Sequence, residues 1–580
     1  MQTITAGLFA AWGLEELRAS GYDVCNTQQL PGDSMMIDRK LTRRSFLASA
    51  AVGAGVLSCG LARGAAGRKA VRPNFLIILA DDMGFSDAGC YGGEIATPNL
   101  DKLAAGGLKF TQFYSTGRCW PSRSCLLTGY YAQQIRMDPP RGRLPAWTRL
   151  APHYLKPAGY RCYHSGKWHI GGSPMPVADG GFDKSYYLRD QNRFFSPTLH
   201  WKDDKKLEPV KPDTGYYATI AIADHAVQRL KDHAKTHKDK PFFHYLAFTS
   251  PHFPLHALQK DIDRYRGKYD KGWDVVRKAR FKRMRDMGIV NCGLSPLQPN
   301  VKPGWNLKAD QLAKRIGPGE AARAVPWSEL TDKQKSFQAT KMAIHAAMID
   351  RMDREIGRVL DQLKASGSLD NTVIMFLSDN GASAEQMIRS DGHDPKAAPG
   401  SWRSHLCLGP GWSTASNTPF RMHKSWVHEG GIASPLIVHW PAGLKASGQL
   451  RHNPGHFVDV LPTVLELAGV KAASNWKGKP APALSGRSIA SVFTKDNTAD
   501  HKFIYFHHSG NRAIRVGDWK LVSAGRKGPW ELYDLRTDRC ELKNLAAKHP
   551  EKVSELLKLW QDRETAFRRQ AGLGPGTKRR

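Results

Sequence analysis

Phe75-Leu76-Ile77-Ile78-Leu79-Ala80-Asp81-Asp82 decides the architecture. Six apolar residues run without a polar interruption and end in two adjacent carboxylates. A half-exposed strand alternates apolar and polar residues, whereas an unbroken run marks a strand covered on both faces, as in a parallel sheet. Val373-Ile374-Met375-Phe376-Leu377 has the same form and ends in Ser378-Asp379-Asn380-Gly381. Phe242 to Phe248 is a third such run, ending in Ser250-Pro251-His252, and Leu436-Ile437-Val438 is a fourth. Helical patterns lie between them. In the clearest, Met342, Ala346, Ile349, Met352, Ile356, Val359 and Leu363 recur at three- and four-residue spacing until Gly367. This alternation predicts an α/β fold, a large mainly parallel sheet sandwiched by helices. Ligands bind such sheets beyond the carboxyl ends of the strands, where three polar clusters fall.

Downstream the pattern changes. Residues 471–497 are rich in Lys, Ala, Pro, Gly and Ser and read as a linker after a main domain over 71–470. Short strand-like pieces follow at Phe503 to Phe506, Ala513 to Val516, Trp519 to Val522 and Trp530 to Leu535, then a helix from Glu551 to Thr565. They predict a small C-terminal α+β domain over 498–570, an antiparallel sheet with one helix, and a basic tail over 571–580. The charged, Pro/Gly-punctuated stretch 258–335 reads as an insertion over the surface.

The N-terminus reads as an address. Thr42-Arg43-Arg44-Ser45-Phe46-Leu47 precedes an apolar run from Ala48 to Leu57, too short to span a bilayer, and resembles a twin-arginine export signal. Residues 1–70 are read as a misassigned start, with Met35 or Met36 the better initiator, plus this signal. Val56-Leu57-Ser58-Cys59 also resembles a weak lipoprotein box. The expected location is exported, periplasmic or extracellular, with a lipid anchor at Cys59 left open.

Composition narrows the class. Of 580 residues, 41% are hydrophobic and 24% charged, which excludes a wholly disordered chain, and a mean hydropathy of -0.47 excludes a polytopic membrane protein. A net charge of +32 favours anionic partners. No recognition motif for nucleic acid accompanies that charge, so a nucleic-acid partner is not expected. Nine cysteines are too few for a disulfide scaffold, and the odd number leaves at least one unpaired.

Asp81-Asp82 and Asp379-Asn380 offer three carboxylates and an amide oxygen from two strand ends. Hard oxygen donors suit calcium or magnesium better than zinc. Cys119-Trp120-Pro121-Ser122-Arg123-Ser124-Cys125-Leu126-Leu127-Thr128-Gly129 places a cysteine at a helix start with an arginine one turn on, a setting that favours an anion at 119. Read plainly, that is an activated thiolate nucleophile.

Cys-x-Pro-Ser-Arg followed by Leu-Thr-Gly resembles the type I, formylglycine-dependent sulfatase family, in the alkaline-phosphatase-like superfamily. The remaining matches follow in that family's order: Asn74 to Asp82, Thr97-Pro98-Asn99-Leu100-Asp101, Gly166-Lys167-Trp168-His169, Pro251-His252-Phe253-Pro254, Ser378-Asp379-Asn380-Gly381, and Arg421 to Gly431 with Lys424. Asn417-Thr418-Pro419-Phe420-Arg421 and Gly409-Pro410-Gly411-Trp412 lean toward its arylsulfatase-like branch. The likeness covers roughly 72 to 550. Cys125 and the basic stretch from Trp305 to Arg323 depart from the family pattern. The first stands where a small residue is commoner, and the second leaves the substrate open.

The resemblance implies oxidation of Cys119 to formylglycine by a formylglycine-generating enzyme before export through the twin-arginine machinery. It implies a cation, calcium or alternatively magnesium, held by Asp81, Asp82, Asp379, Asn380 and the modified Cys119. Arg123 would hold the formylglycine, Lys167 and Lys424 would neutralise sulfate oxygens, and His169 would orient or deprotonate the diol. His252 with Lys424 would protonate the leaving oxygen. The implied substrate is an aryl sulfate or a sulfated carbohydrate. A formylglycine-dependent phosphonate or phosphodiester hydrolase, and a non-catalytic binder of sulfated glycans, are the rival readings. Trp120 and Trp168 are expected to pack, and Cys90, Cys125 and Cys162 to be small buried hydrophobes. His164, His256, His428, His507 and His508 are expected in structural polar networks.

Overall fold

The computed structural model describes residues 72–138, 142–389 and 391–574. The stretch read as an export signal, Cys59, Met35, Met36 and the end of the basic tail lie outside them. No helix among the described residues is long and apolar enough to cross a membrane.

An eleven-stranded sheet forms the centre. Its strands are β1 Asn74–Ala80, β2 Leu108–Tyr114, β3 Arg161–Gly166, β4 Lys184–Leu188, β5 His200–Lys202, β6 Lys205–Lys206, β7 Phe242–Ala247, β8 Thr372–Ser378, β9 Ala433–His439, β10 Gln449–Arg451 and β11 Gly455–His456. The order is β10-β2-β9-β8-β1-β7-β3-β4-β5-β6, with β11 also on β2. From β8 to β4 all pairings are parallel, while β9 runs antiparallel between β8 and β2. The four apolar runs are thus strands, and three of them lie in the buried parallel centre. β3 did not announce itself because its sequence is polar. It is buried all the same, since His164 bonds Ser185 at 2.9 Å and Ser165 bonds His244 at 3.1 Å.

β1 separates two cores. Leu76, Ile78 and Ala80 face one and Phe75, Ile77 and Leu79 the other, all with no exposed surface. The helix Asp332–Ala365 covers the first face. It opens on a capping box in which Thr331 accepts from Gln334 N and Gln334 accepts from Thr331 N, and its predicted apolar stripe is fully buried.

The C-terminal sheet is antiparallel: β12 Ile504–His508, β13 Asn511–Val516, β14 Trp519–Ser523 and β15 Glu531–Asp534, with the helix Pro550–Gln570. It is bolted to the main sheet by buried charge. Lys520 reaches Glu429 at 2.9 Å and Glu541 at 2.8 Å, and Arg539 reaches Glu429 at 3.0 Å. A disulfide joins Cys292 to Cys540. Cys90, Cys125 and Cys162 are free and buried, as expected. The stretch 471–497 carries a short hairpin and the helix Ala490–Thr494, whose Val492 and Phe493 are buried.

The stretch 258–335 is not a surface insertion. Tyr265, Tyr269, Trp273 and Met284 belong to the core. In its helix Gly272–Asp286, Arg280 is fully buried against Asp87 at 2.6 Å and Glu94 at 2.7 Å, and Arg277 donates to the Ser295 carbonyl. Arg277 and Arg280 thus point inward while Lys278, Lys282 and Arg285 stay exposed, a division that no one-dimensional count makes.

His244, His423 and His456 are fully buried, and loss of solvation holds each down to about 3 from 6.5. The unfolded chain therefore takes up these protons first. Their contribution is complete above about pH 6.5 and falls as pH drops from there toward 3, by about 1.4 kcal/mol per unit for each histidine. Urea midpoints should be flat above pH 7 and fall steeply between pH 6 and 4, with a shallower fall in His244→Gln. A profile flat to pH 4 would show that these rings are not buried neutral.

Candidate active site

β1 and β8 run parallel with Leu79 opposite Leu377 and Ala80 opposite Ser378. Their carboxyl ends therefore deliver Asp81-Asp82 and Asp379-Asn380 to one place. Asp82 N donates to Asp379 Oδ1 at 3.3 Å, and Asn380 Nδ2 donates to Asp82 Oδ1 at 2.7 Å. Asp82 adopts φ 67°, a left-handed turn that aspartate tolerates better than most residues. Gly381 follows because a Cβ there would lie 1.9 Å from the Gly430 carbonyl.

Four buried carboxylates meet four buried or nearly buried cations. Arg123 donates from Nε to Asp379 Oδ2 at 2.8 Å and from Nη1 to the Lys167 carbonyl at 3.2 Å. Lys167 Nζ lies 2.5 Å from Asp81 Oδ2. Lys424 Nζ lies 2.7 Å from Asp82 Oδ2 and 3.2 Å from Glu385 Oε2, and Arg118 lies 3.2 Å from Glu385 Oε1. Burial would raise the Asp82 carboxyl, but Lys424 and His252 outweigh it and bring it down to about 2. Burial and the neighbouring Asp379 raise Asp81. Burial opposes the charge on Lys424, yet Asp82 and Glu385 hold its ammonium above the usual lysine range.

Two buried oxygens, Asp81 Oδ1 and Asn380 Oδ1, accept no hydrogen bond. Leaving such an atom unpaired costs about 1–3 kcal/mol, so the site has room for a partner from outside the chain. The donors are hard oxygens, and ligand atoms of Asp81, Asp82 and His252 lie within 4.8 Å of one another. This donor set fits a divalent cation such as calcium or magnesium.

Cys119 is the first residue of the helix Cys119–Thr128 and is 3% exposed. It is close enough to Arg118, Arg123 and Lys424 that negative charge on its sulfur would favour all three cations. His252 is buried, and its Nδ1 lies 2.5 Å from the Phe253 carbonyl. A carbonyl only accepts, so Nδ1 carries the hydrogen and Nε2 of the neutral ring is an acceptor. Burial and Lys424 hold this imidazole down to about 4. His169, with φ 58°, lines a cleft of about 660 Å³ together with Lys167, Arg143, Arg189 and Trp201, and packs edge-on against Trp120 at 5.9 Å.

Every sequence-selected site residue is thus gathered around the ends of β1 and β8 or at the adjoining cleft. Arg118 and Glu385, paired at the same site, are not among those residues. Arg118 stands next to Cys119, a signal available in the sequence. Glu385 had none, because only folding brings it against Lys424. Of the histidines expected in polar networks, His164 bonds Ser185, His256 bonds the Ser404 carbonyl at 2.7 Å, His507 faces Glu564 at 3.3 Å and His508 pairs with Asp138 at 3.0 Å, while His428 lies 3.4 Å from Glu531 without a hydrogen bond. Trp168 is buried, as expected of a packing residue.

Residues 73–470 match the family model described as Sulfatase, and residues 420–567 match that of the N-sulphoglucosamine sulphohydrolase C-terminal region. An uncharacterised sulfatase of Schizosaccharomyces pombe is 33% identical, covering 84% of this chain and 93% of the relative. The arylsulfatase of Klebsiella aerogenes is 31% identical, covering 76% and 96%. Among solved structures, the complex of Ps i-CgsB with k-i-k-neocarrahexaose has a TM-score of 0.60 at 22% identity, covering 87% of this chain and 95% of that one, and shares the fold. With the ordered motifs converging on one buried site, the chain belongs to the sulfatase family of sulfuric ester hydrolases.

Proposed function

We propose that the protein hydrolyses sulfate esters to an alcohol and inorganic sulfate, using formylglycine made from Cys119 and a divalent cation, calcium or alternatively magnesium. The observation that carries this reading is Cys119 at a helix start beside a cage of oxygens, two of which lack partners. Asp81, Asp82, Asp379 and Asn380 would hold the cation, with the side chain at 119 beside them. The cation supplies positive charge that polarises the sulfate group. Formylglycine at position 119, in its hydrated form, would supply the hydroxyl nucleophile for the sulfate group.

The chain's own residues do the rest. Arg123, fixed by Asp379, orients the side chain at 119. Lys167 and Lys424 face sulfate oxygens as point charges. His169 would orient the side chain at 119 or take a proton from it. Lys424 carries the proton available to the leaving oxygen near neutral pH. His252, an acceptor at Nε2 when neutral, joins that transfer once the imidazolium forms beside the substrate's negative charge.

The arylsulfatase of Klebsiella aerogenes and, at 26% identity, the N-acetylglucosamine-6-O-sulfatase of Bacteroides thetaiotaomicron support an aryl sulfate or sulfated carbohydrate as substrate. Exposed Arg143 and Arg189 in the cleft beside Lys167 favour an anionic one. The proposed partners are a formylglycine-generating enzyme and the twin-arginine machinery. The Cys292–Cys540 disulfide supports an exported, oxidising location.

Cys119→Ala should abolish turnover of 4-nitrophenyl sulfate while leaving the melting temperature unchanged, and mass spectrometry of the active protein should find position 119 converted from cysteine to the aldehyde. Full activity with unmodified cysteine would sink the reading. Parallel assays with aryl phosphates and phosphonates separate it from the rival hydrolase. Chelation should remove activity and lower the melting temperature, with calcium restoring both. At 100-fold saturation the ion contributes about 2.7 kcal/mol, and Asp379→Ala should lose that response. Unchanged melting and activity in metal-free protein would rule against the cation. If the cleft arginines steer a polyanion, rising salt should lower kcat/KM for a sulfated polysaccharide more than for the aryl ester; equal dependence would favour a small-ester substrate.

A further inference from the structure

Trp305 is 50% exposed, the one aromatic among the large hydrophobic residues that the described chain leaves in water. It is nevertheless held firmly. Its Nε1 donates to Glu385 Oε1 at 3.0 Å, and the other Glu385 oxygen lies 3.2 Å from Lys424 Nζ. The backbone beside it is clamped to the loop after β8. Asn306 donates to the Ala384 carbonyl at 2.8 Å, Gln386 N donates to Asn306 Oδ1 at 3.0 Å, and Leu307 N donates to the Gln386 carbonyl at 2.9 Å. Arg118, the residue before Cys119, places its guanidinium 5.6 Å from the Trp305 ring and 5.4 Å from the Trp120 ring. It is fixed there by Glu385 and by donation to Ser425 Oγ at 2.6 Å.

A tryptophan that only fills space is buried, as Trp168, Trp273 and Trp412 are. Trp305 instead has its polar edge anchored to Glu385, the partner of Lys424, and half its surface open to solvent. A rigid indole in that position gives a flat apolar face to whatever is attached to the reacting sulfate.

We propose that Trp305 is a stacking platform for the ring that bears the sulfate ester, so that the enzyme prefers esters of cyclic alcohols over acyclic ones. The proposal rests on the sulfatase reading and adds to it a residue that selects the leaving group. The shared chemistry is a flat ring face, which an aromatic ring or the C–H face of a sugar supplies.

The test compares wild type, Trp305→Ala and Trp305→Phe on 4-nitrophenyl sulfate, glucosamine 6-sulfate and ethyl sulfate, with kcat and KM read separately. The platform predicts that Trp305→Ala raises KM for a cyclic ester by roughly three- to tenfold, the size of a stacking contact, and changes ethyl sulfate less than about twofold. Whichever cyclic ester responds identifies the ring. Trp305→Phe keeps a ring face but loses the bond to Glu385, and should restore most of the KM. The proposal is overturned if Trp305→Phe is as impaired as Trp305→Ala, if ethyl sulfate suffers equally, or if no cyclic ester responds. Should wild type turn over no sulfate ester, the sulfatase reading fails on its own. Titration of phenyl sulfate into Cys119→Ala and Cys119→Ala/Trp305→Ala protein still reads the platform: weaker binding in the double variant supports it, and equal binding overturns it.

Discussion

Asp81, Asp82, Asp379 and Glu385 are charged groups taken out of water, and much of the molecule is arranged around the cost of keeping them there. Charges this deeply buried persist only when paired and hydrogen-bonded. Arg123, Lys167, Lys424 and Arg118 supply the pairing, from three separate parts of the chain. The helix that begins at Cys119 brings Arg123, the end of β3 brings Lys167, and the loop before β9 brings Lys424. Removing one partner would leave an opposite charge stranded, so these elements are held to one another as strictly as by any apolar contact.

That requirement reaches beyond the site. The loop bearing Lys424 runs on to Glu429, which is fixed by Lys520 and Arg539 from the C-terminal sheet and accompanied by Glu541. The small sheet therefore acts as a brace behind the loop that carries Lys424. Both of its faces are covered: Tyr505, Ile514, Leu521 and Leu532 pack into one core, and Ile504, Phe506, Ala513 and Val522 into another. On the other side, residues 305–307 hydrogen-bond to the segment 384–386, which sets both Glu385 and the rim of the site. The stretch 258–335, charged as it is, belongs to the architecture because Arg280 is satisfied by Asp87 and Glu94.

Some of the positions with unusual backbone fall where the chain turns sharply beside the site. Asp82, His169 and Ser425 all have positive φ without being glycine. Such conformations cost of order 1 kcal/mol or more and persist where surrounding contacts over-determine them. At Gly166 the demand is stricter: with φ 113° and a would-be Cβ 1.9 Å from the Ala247 carbonyl, only glycine lets β3 end beside β7 and present Lys167.

The sequence alone determined the buried parallel strands, because an unbroken apolar run has few other uses, and it determined the long helix through its period and its stop. It also carried the ordered motifs around Asp81, Cys119, Lys167, His252, Asp379 and Lys424, since site chemistry needs particular side chains at particular strand ends. It did not reveal β3, whose polar residues are buried only because neighbouring strands satisfy them. It hid which arginines point inward, and it gave no hint that Glu385 belongs at the site. Those facts depend on pairings between residues far apart in the chain. Burial and charge compensation belong to the packed structure, so tertiary contacts decided them.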